Sequence, residues 1–357
     1  MNIHLITGGN VYSSNYIRFV KENFNESDNL FFVYKASENV DLYFTSYQNI
    51  KYYRRILPFI IQNYFKILKA DKIIVHQLNI PLIMSFWLLC YPFVFKKLMW
   101  VIWGSDLYDY YAAYSGIKAK MIELVRRVFI KRIRYISSYI YGDYLLCKEL
   151  YKTNAKYFKS WYPYTINKKV LDCSEKIYNL NNTLKIMVGN SADPSNRHID
   201  ALNKLLPFKD ENIQIYLFLS YGGTLEYINQ LKKEAYALFE NKVVFVTDYM
   251  NFDKYIEIVN DMDICIFNHN RQQGLGNIDL LLCLKKKIFI RSTTTPFDHY
   301  SRMGVQLFDT DTINTLDFEK LRDVSYEKLV QNKDYLLQEI SIDNIHKGWD
   351  KILNGSW

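Results

Sequence analysis

Residues 267–281 read Phe-Asn-His-Asn-Arg-Gln-Gln-Gly-Leu-Gly-Asn-Ile-Asp-Leu-Leu, and they lie between two apolar runs, Asp263–Phe267 and Lys287–Arg291. Two short β-branched runs flanking a polar, glycine-bearing turn and an apolar helical stretch make a strand–helix–strand unit, the building block of a parallel sheet. In such sheets ligands bind beyond the carboxyl ends of the strands. Gly274 and Gly276 let the helix begin close to a ligand, because no Cβ intervenes. The free N–H groups of the first turn and the helix dipole favour an anion there. Arg271 adds a planar cationic fork that suits phosphate oxygens. A turn that needed glycine only for packing would leave the Arg-Gln-Gln run without a purpose, so the stretch reads as a diphosphate seat.

The same pattern extends upstream. Strands are expected at 184–188, 213–219, 243–246, 263–267 and 287–291, with helices at 196–205, 223–239, 252–260 and 275–284. Each of the first four strands runs into a polar or glycine-rich loop. Val188 is followed by Gly189, Asn190, Ser191, Ala192, Asp193, Pro194, Ser195, Asn196, Arg197 and His198. Leu219 is followed by Ser220, Tyr221, Gly222 and Gly223, and Val246 by Thr247, Asp248, Tyr249 and Met250. The fourth loop carries Asn268, Arg271, Gln272, Gln273, Gly274, Leu275, Gly276 and Asn277. Four such loops on one sheet edge describe a pocket. The first offers groups for a sugar or phosphate, and the third could stack a nucleobase on Tyr249. Helix capping by Ser195, Asn196 and Asn251 accounts for part of the same residues.

The first half alternates in the same way. Strands are expected at 2–7, 30–34, 72–76, 98–103 and 134–137, and helices at 13–24, 48–70, 80–96, 116–132 and 141–152. Its informative loops are Gly8-Gly9-Asn10, His76-Gln77 and Trp103-Gly104-Ser105-Asp106. Asp106 stands directly after a strand, as a carboxylate meeting a substrate would, or as a helix N-cap. His76 reads as a hydrogen-bonded strand-end residue or a base. Asp261-Met262-Asp263 has the form of a D-x-D metal motif but precedes its strand instead of following it. No essential metal is therefore expected, and no P-loop, H-E-x-x-H, G-x-S-x-G or complete dinucleotide fingerprint is present. The domain reading is an amino-terminal domain 1–164, a linker 165–183, a second domain 184–324, and a helical tail 325–357 packing back on the first domain.

The chain has 357 residues, 49% hydrophobic and 23% charged, which is a globular composition with room for two cores. Net charge is +8, split as 25 basic against 13 acidic residues in 1–180 and 20 against 24 in 181–357. A first half at +12 and a second at −4 call for an anionic partner of the first. Residues 118–134, KAKMIELVRRVFIKRIR, hold seven basic residues and one acid, with Met121, Leu124, Val125, Val128, Phe129 and Ile133 at helical spacing. This reads as a basic amphipathic helix, either with a solvated face on an α/β unit or with Arg126, Arg127, Lys131, Arg132 and Arg134 in contact with an anionic membrane surface. The uncharged run 80–95 is short for a span and is broken by Pro92, so it reads as a buried or membrane-apposed helix. Five scattered cysteines without a C-x-x-C pair read as buried hydrophobes of a reducing compartment, and the opening strand has no signal-peptide character, so a cytoplasmic protein is expected.

Several stretches resemble one family, the bacterial 4-acetamido-4,6-dideoxygalactose (Fuc4NAc) transferases. They are Val101–Tyr108, Gly142-Asp143-Tyr144, Gly189–His198 and, most specific, Arg271–Asn277. The resemblance spans about 100 to 310. It implies an α/β chain of GT-B fold, two facing Rossmann-like domains with a cleft between them, the donor nucleotide in the second, the acceptor in the first, and no metal or other cofactor. It also implies a peripheral enzyme on the inner face of the cytoplasmic membrane. Outside the motifs the chain departs from the enterobacterial pattern, so a capsule or O-antigen pathway fits as well as enterobacterial common antigen.

The expected reaction moves a deoxy or acetamido-deoxy sugar from a dTDP-, UDP- or GDP-linked donor to an undecaprenyl-diphosphate-linked saccharide. Arg271 and the 274–277 amides would stabilise the leaving diphosphate. Asp106 would orient the acceptor in a retaining reaction, or serve as the first candidate base of an inverting one, with His76 second. A same-fold nucleotide-sugar epimerase is the enzymatic alternative. A nucleic-acid-binding module would use the basic half but leave the four polar loops unexplained, so no nucleic acid partner is expected.

Overall fold

β-branched and aromatic runs of the first half become seven parallel strands: β1 (Asn2–Thr7), β2 (Asn29–Tyr34), β3 (Ile50–Tyr53), β4 (Lys72–His76), β5 (Leu98–Val101), β6 (Tyr135–Ser138) and β7 (Lys156–Lys159), in sheet order β3-β2-β1-β4-β5-β6-β7. The computed structural model describes residues 1–7, 11–34, 48–78, 91–108, 117–163, 166, 168–171, 173, 183–323 and 325–357. Gly8, Gly9, Asn10, most of the expected linker and most of the apolar run 80–95 lie outside the described residues. The second half forms β8 (Leu184–Val188), β9 (Ile213–Phe218), β10 (Val243–Val246), β11 (Ile264–Phe267), β12 (Lys287–Ile290) and β13 (Phe308–Asp309), all parallel, in order β10-β9-β8-β11-β12-β13.

The chain divides into two units, Met1–Tyr164 with Ile340–Trp357, and Thr165–Glu339. The tail is thus shared between them. Helix Tyr326–Glu339 belongs to the second unit, and helix Ile342–Leu353 belongs to the first. There Trp349 is fully buried, its centroid 4.5 Å from that of Tyr16, and its indole donates to the Trp161 carbonyl at 2.8 Å. Lys72 Nζ caps the carboxyl end of that helix through the carbonyls of Ile352, Leu353 and Gly355, at 2.9, 2.8 and 2.6 Å.

Two strands of the first sheet go beyond the sequence expectation. Residues 50–53, read as the start of a helix, pair with Phe31–Tyr34, because Ile50, Tyr52 and Tyr53 favour an extended chain and the helix begins only at Ile56. Lys156–Lys159, read as an exit segment, is an edge strand whose two lysines guard the open edge. In the second unit, helix Thr295–Arg302 was not expected, although Thr294 and Pro296 are ordinary start signals.

Right-handed crossovers place the helices Ile56–Lys69, Ile117–Arg132 and Tyr141–Tyr151 on one face of the first sheet. One apolar cluster joins Phe59, Ile67, Phe129, Ile130, Ile133 and Cys147 to the strand residues Ile3, Leu5, Ile73, Val75 and Trp100. Helix Ile117–Arg132 buries only part of its apolar side. Phe129, Ile130 and Ile133 are buried, but Met121 and Leu124 are 61% and 62% exposed, and Ile117 and Val128 are exposed beside them. Arg126 turns inward instead. It donates to the carbonyls of Asp106 and Leu78 and to the Tyr151 hydroxyl, and lies over the Trp100 ring. Arg127 pairs with Glu123 at 3.1 Å and reaches the Leu150 carbonyl. Arg126 is not placed to meet a surface ligand, Arg127 is partly exposed, and Lys131, Arg132 and Arg134 are exposed. Among the described residues no helix is long and apolar enough to cross a membrane.

Candidate functional site

The β8 loop is built around Asn196, which is fully buried. Its Nδ2 donates to the carbonyls of Ser191 and Asp193 and to Ser191 Oγ, each at 3.1 Å, and its Oδ1 accepts from Asn190 N at 3.3 Å. Asn196 is thus a strut, not a free ligand group. Gly189 opens the loop at φ 68°, where a Cβ would stand 2.7 Å from His198 Nε2. His198 is buried, with Nδ1 2.9 Å from Tyr227 Oη, and burial lowers its pKa to about 4, so it packs as a neutral ring. The β9 loop locks against this one: Ala192 N donates to the Tyr221 carbonyl at 2.7 Å, and a Cβ on Gly223 would stand 2.4 Å from the Ala192 carbonyl. Gly222 takes φ 87° beside Ser191, and Ser220 is half-buried.

The β11 loop meets the β8 loop at the helix Leu275–Cys283. Gly274 caps that helix in the left-handed region, φ 68°, with no side-chain cap. A Cβ there would stand 2.9 Å from Asn190 Oδ1, so Asn190 lies on the helix tip. Asn277 N and Ile278 N bond back to the Gly274 carbonyl, and Asn277 Oδ1 accepts from Tyr255 Oη at 2.5 Å. Of the tip amides expected to be free, Asn277 is therefore engaged, and Leu275 and Gly276 are left. Arg271 Nη2 stands 3.2 Å from Ser195 Oγ and 3.8 Å from Asp193 Oδ2, and Ser195 Oγ lies 2.5 Å from Gln273 Oε1. Asp193 also caps the turn at Ser195 N, at 2.8 Å.

Two buried side-chain oxygens beside this tip, Asn190 Oδ1 and Gln272 Oε1, have no hydrogen-bond partner among the described residues. Burial, and then the charge of Arg271, lower the pKa of His269 to about 4, so the ring is neutral. Buried polar groups are nearly always paired, so two such oxygens mark a place where a ligand completes the set. The β10 loop is open by contrast: Asp248 is exposed, Tyr249 is 88% exposed and Met250 is half-buried.

Sequence reasoning passed over a charge network beside the site. Arg291 Nη2 reaches Asp200 Oδ2 and Asn268 Oδ1, both at 3.1 Å, and Asn268 Nδ2 donates to Asp200 Oδ2 at 2.8 Å. Burial pushes the Asp200 carboxyl up, but the Asn268 bond and the charges of Lys204, Arg197 and Arg291 outweigh it and hold the group below its usual range. Arg291 follows β12 directly, so asking what succeeds the fifth strand, as was done for four, finds it. The D-x-D residues both face Lys185 at the amino end of β11: Asp263 Oδ2 accepts from its backbone N at 2.8 Å, and Asp261 pairs with its Nζ. Among the described residues no group of three or more His, Cys, Asp or Glu could hold a metal ion.

Below the helix tip, Asp279 is fully buried, with Oδ1 accepting from Tyr300 Oη at 2.6 Å. Burial raises its pKa to about 7, with Glu339 adding to the shift and the Tyr300 bond opposing it. The folded chain then keeps a proton that the unfolded chain releases near pH 4. The stability tied to this group is full below that pH and is lost as pH rises through about 7. Asp279→Asn keeps an acceptor for Tyr300 and removes the ionisation. Urea unfolding is expected to find it more stable than the parent at pH 8 by roughly 2–4 kcal/mol, with the gap closing towards pH 4.

In the first unit the expected catalytic pair is turned inward. Asp106 is fully buried, and its oxygens accept from Leu78 N (2.8 Å), Trp100 Nε1 (2.7 Å) and Trp103 N (2.9 Å). Burial raises its pKa, and these donors with Arg126 draw it back. A carboxylate tied to three donors staples the loops after β4 and β5 together, so the structure does not present it as a base. His76 is buried between Tyr162 and His4, and burial, then His4, hold its pKa well below the usual value. Trp103 is half-buried, Gly104 takes φ 105° and Ser105 is exposed.

The profile of the 4-alpha-L-fucosyltransferase glycosyl transferase group 56 family matches residues 18–354. Among solved structures, Anabaena HepE in complex with UDP superposes with a TM-score of 0.70 at 10% identity over 100% of both chains. WaaG, a glycosyltransferase of lipopolysaccharide biosynthesis, gives 0.60 at 11% identity over 99% of both. A glycosyltransferase of Rickettsia africae gives 0.65 at 10% identity, over 99% of this chain and 97% of that one. These neighbours share the GT-B fold of two parallel-sheet units. The chain belongs to the 4-alpha-L-fucosyltransferase family, glycosyl transferase group 56, and is a glycosyltransferase of GT-B fold.

Proposed function

We propose that this enzyme transfers a fucose-like or Fuc4NAc-like sugar from a nucleotide diphosphate donor to a lipid-linked saccharide during bacterial surface polysaccharide synthesis. The observation that carries the donor half is the pair of unpartnered oxygens beside Gly274, Asn190 Oδ1 and Gln272 Oε1, at a helix start with two open amides, beside Arg271. A diphosphate accepts from the two open amides and from Arg271, and from Asn190 and Gln272 once each side-chain amide is turned so that its NH2 faces the phosphate. Turning the Asn190 amide over lets Tyr221 donate to Oδ1 and points the NH2 at the helix tip, where a phosphate oxygen accepts it. As the glycosidic bond breaks, negative charge grows on the departing diphosphate, and Arg271 with the Leu275 and Gly276 amides stabilises it without reorganising. Exposed Tyr249 is available to stack the base. That neighbours such as HepE bind UDP supports a nucleotide-sugar donor. Asp106, as a loop staple, keeps the acceptor loops in register, which suits a retaining reaction that needs no strong base.

The acceptor half of the reading rests on the outer surface of the first unit. Ile61, Phe65, Ile117, Met121, Leu124 and Val128 are all exposed on helices that cover one face of its sheet. Lys66, Lys69, Lys120, Lys131, Arg132 and Arg134 are exposed on or next to the same helices. An apolar stripe edged by cations fits the headgroup layer of an anionic bilayer, which carries polyprenyl-linked acceptors. The enzyme then works as a peripheral protein of the inner face of the cytoplasmic membrane.

A thermal-shift screen of dTDP-, UDP- and GDP-sugars tests the donor. One nucleotide is expected to raise the melting temperature in proportion to the logarithm of its concentration. Transfer of radiolabel from that donor into a lipid extract separates a transferase from an epimerase, which would leave the label water-soluble. No shift with any nucleotide would end the reading.

A further inference from the structure

The indole of Trp103, beyond the carboxyl end of β5, is fixed by a chain of hydrogen bonds that runs into the core. Its Nε1 donates to Tyr162 Oη at 2.8 Å, and that hydroxyl donates to His76 Nδ1. With Nδ1 accepting, the His76 proton sits on Nε2, 3.2 Å from His4 Nδ1, and His4 Nε2 meets Asn29 Oδ1 at 3.1 Å. Burial holds both rings neutral, that of His4 with a pKa of about 4. One tautomer of each ring therefore satisfies the whole chain. The polar edge of the indole is consumed, and what is left to interact is its apolar face. Two rings pack against the indole at steep angles, Tyr162 with its centroid 4.9 Å away at 75° and Tyr12 at 6.4 Å and 78°, and Tyr12 is 44% exposed.

A second observation points to a ligand at this place. Gln77, after β4, takes φ 64°, a region that a side chain with a Cβ enters at a cost, and such strain concentrates at functional sites. Its Nε2 donates to exposed Ser105 Oγ at 3.3 Å, so an amide and a hydroxyl sit at the same sheet edge as the aromatic pair. We propose that Trp103 and Tyr12 form a stacking platform for one pyranose ring of the acceptor, with Gln77 and Ser105 meeting its hydroxyls. This rests on the reading that the first unit takes the acceptor. A pyranose has one face of C–H bonds, which the negative face of an aromatic ring attracts, and a rim of hydroxyls, which an amide and a hydroxyl can pair. A phosphate would find no cation among these four side chains, and a lipid tail would leave the amide and hydroxyl unpaired. His76, through Tyr162, is then a positioning residue that sets the indole.

The test is saturation-transfer NMR on the full chain with methyl glycosides of glucose, galactose, mannose and N-acetylglucosamine at millimolar concentration. At least one glycoside is expected to receive saturation, concentrated on the ring protons of one face. Tyr12→Ala and Trp103→Phe should lower that signal at least 5-fold, and His76→Phe should lower it 2-fold or more, while the thermal shift caused by the donor nucleotide stays as in the parent. Tyr12 is exposed, so its variant keeps the proposal testable even where Trp103 variants lose stability. Absence of transfer to every glycoside in a protein that binds nucleotide overturns the platform, as does an undiminished signal in Tyr12→Ala. Glycoside binding without any nucleotide binding would instead remove the donor reading and leave the platform standing.

Discussion

Replacing Arg271 with alanine is expected to lower turnover by roughly 10²-fold or more, the usual cost of removing one donor aimed at developing charge. The geometry says why the loss falls on catalysis and not on folding. In the free chain the guanidinium is shared between Ser195 Oγ at 3.2 Å and Asp193 at 3.8 Å, a partly exposed pair worth at most about 1 kcal/mol. A bound diphosphate offers two or three oxygens in place of one distant carboxylate, and these gain charge as the sugar departs. Arg271→Lys should recover little, since a point charge does not reproduce the planar fork. Single-turnover rates with the donor identified by thermal shift give the answer. Turnover within threefold of the parent, with unchanged stability, would remove Arg271 from the chemistry.

The second large effect is expected on the first unit. Met121→Glu with Leu124→Glu should lower binding to vesicles containing phosphatidylglycerol by at least 10-fold. Each buried apolar side chain contributes about 1.5–3 kcal/mol, against about 1 kcal/mol for a basic residue near an anionic surface. Both residues are more than half exposed already, so the double variant should fold as the parent does. Lys131→Ala with Arg132→Ala should give a smaller loss that disappears in high salt. Flotation at two salt concentrations reads both. Equal flotation of the Met121/Leu124 double variant and the parent would detach this stripe from the membrane.

The contrast between the stripe and the original reading explains what a sequence can carry. Strands such as Leu184–Val188 and Ile264–Phe267 are buried on both faces and announce themselves as apolar runs, and the loops after them follow by rule. Residues 118–134 are apolar at too many positions for periodicity to choose an inward face. The choice is made by Trp100 and Tyr151, which draw Arg126 inward from other elements. The site divides in the same way. The left-handed cap at Gly274 is legible because it is local, a glycine at the start of one helix. Asp106 misleads because its three donors come from Leu78, Trp100 and Trp103, and no spacing brings those together. His76 is the hydrogen-bonded strand-end residue that its place suggests, and only its partners, His4 and Tyr162, 72 and 86 residues away, decide against the alternative of a base.

Helix Ile342–Leu353 has a consequence for biosynthesis. The first unit is encoded in two pieces, and Trp349, lodged against Tyr16 in its core, belongs to the later one. On the ribosome the amino-terminal sheet is made first but lacks that indole until all of the second unit has emerged. Nascent domains otherwise mature in the order of synthesis. Here the order reverses: the later-made unit can close while the earlier one still waits, holding an apolar socket that a chaperone could shield.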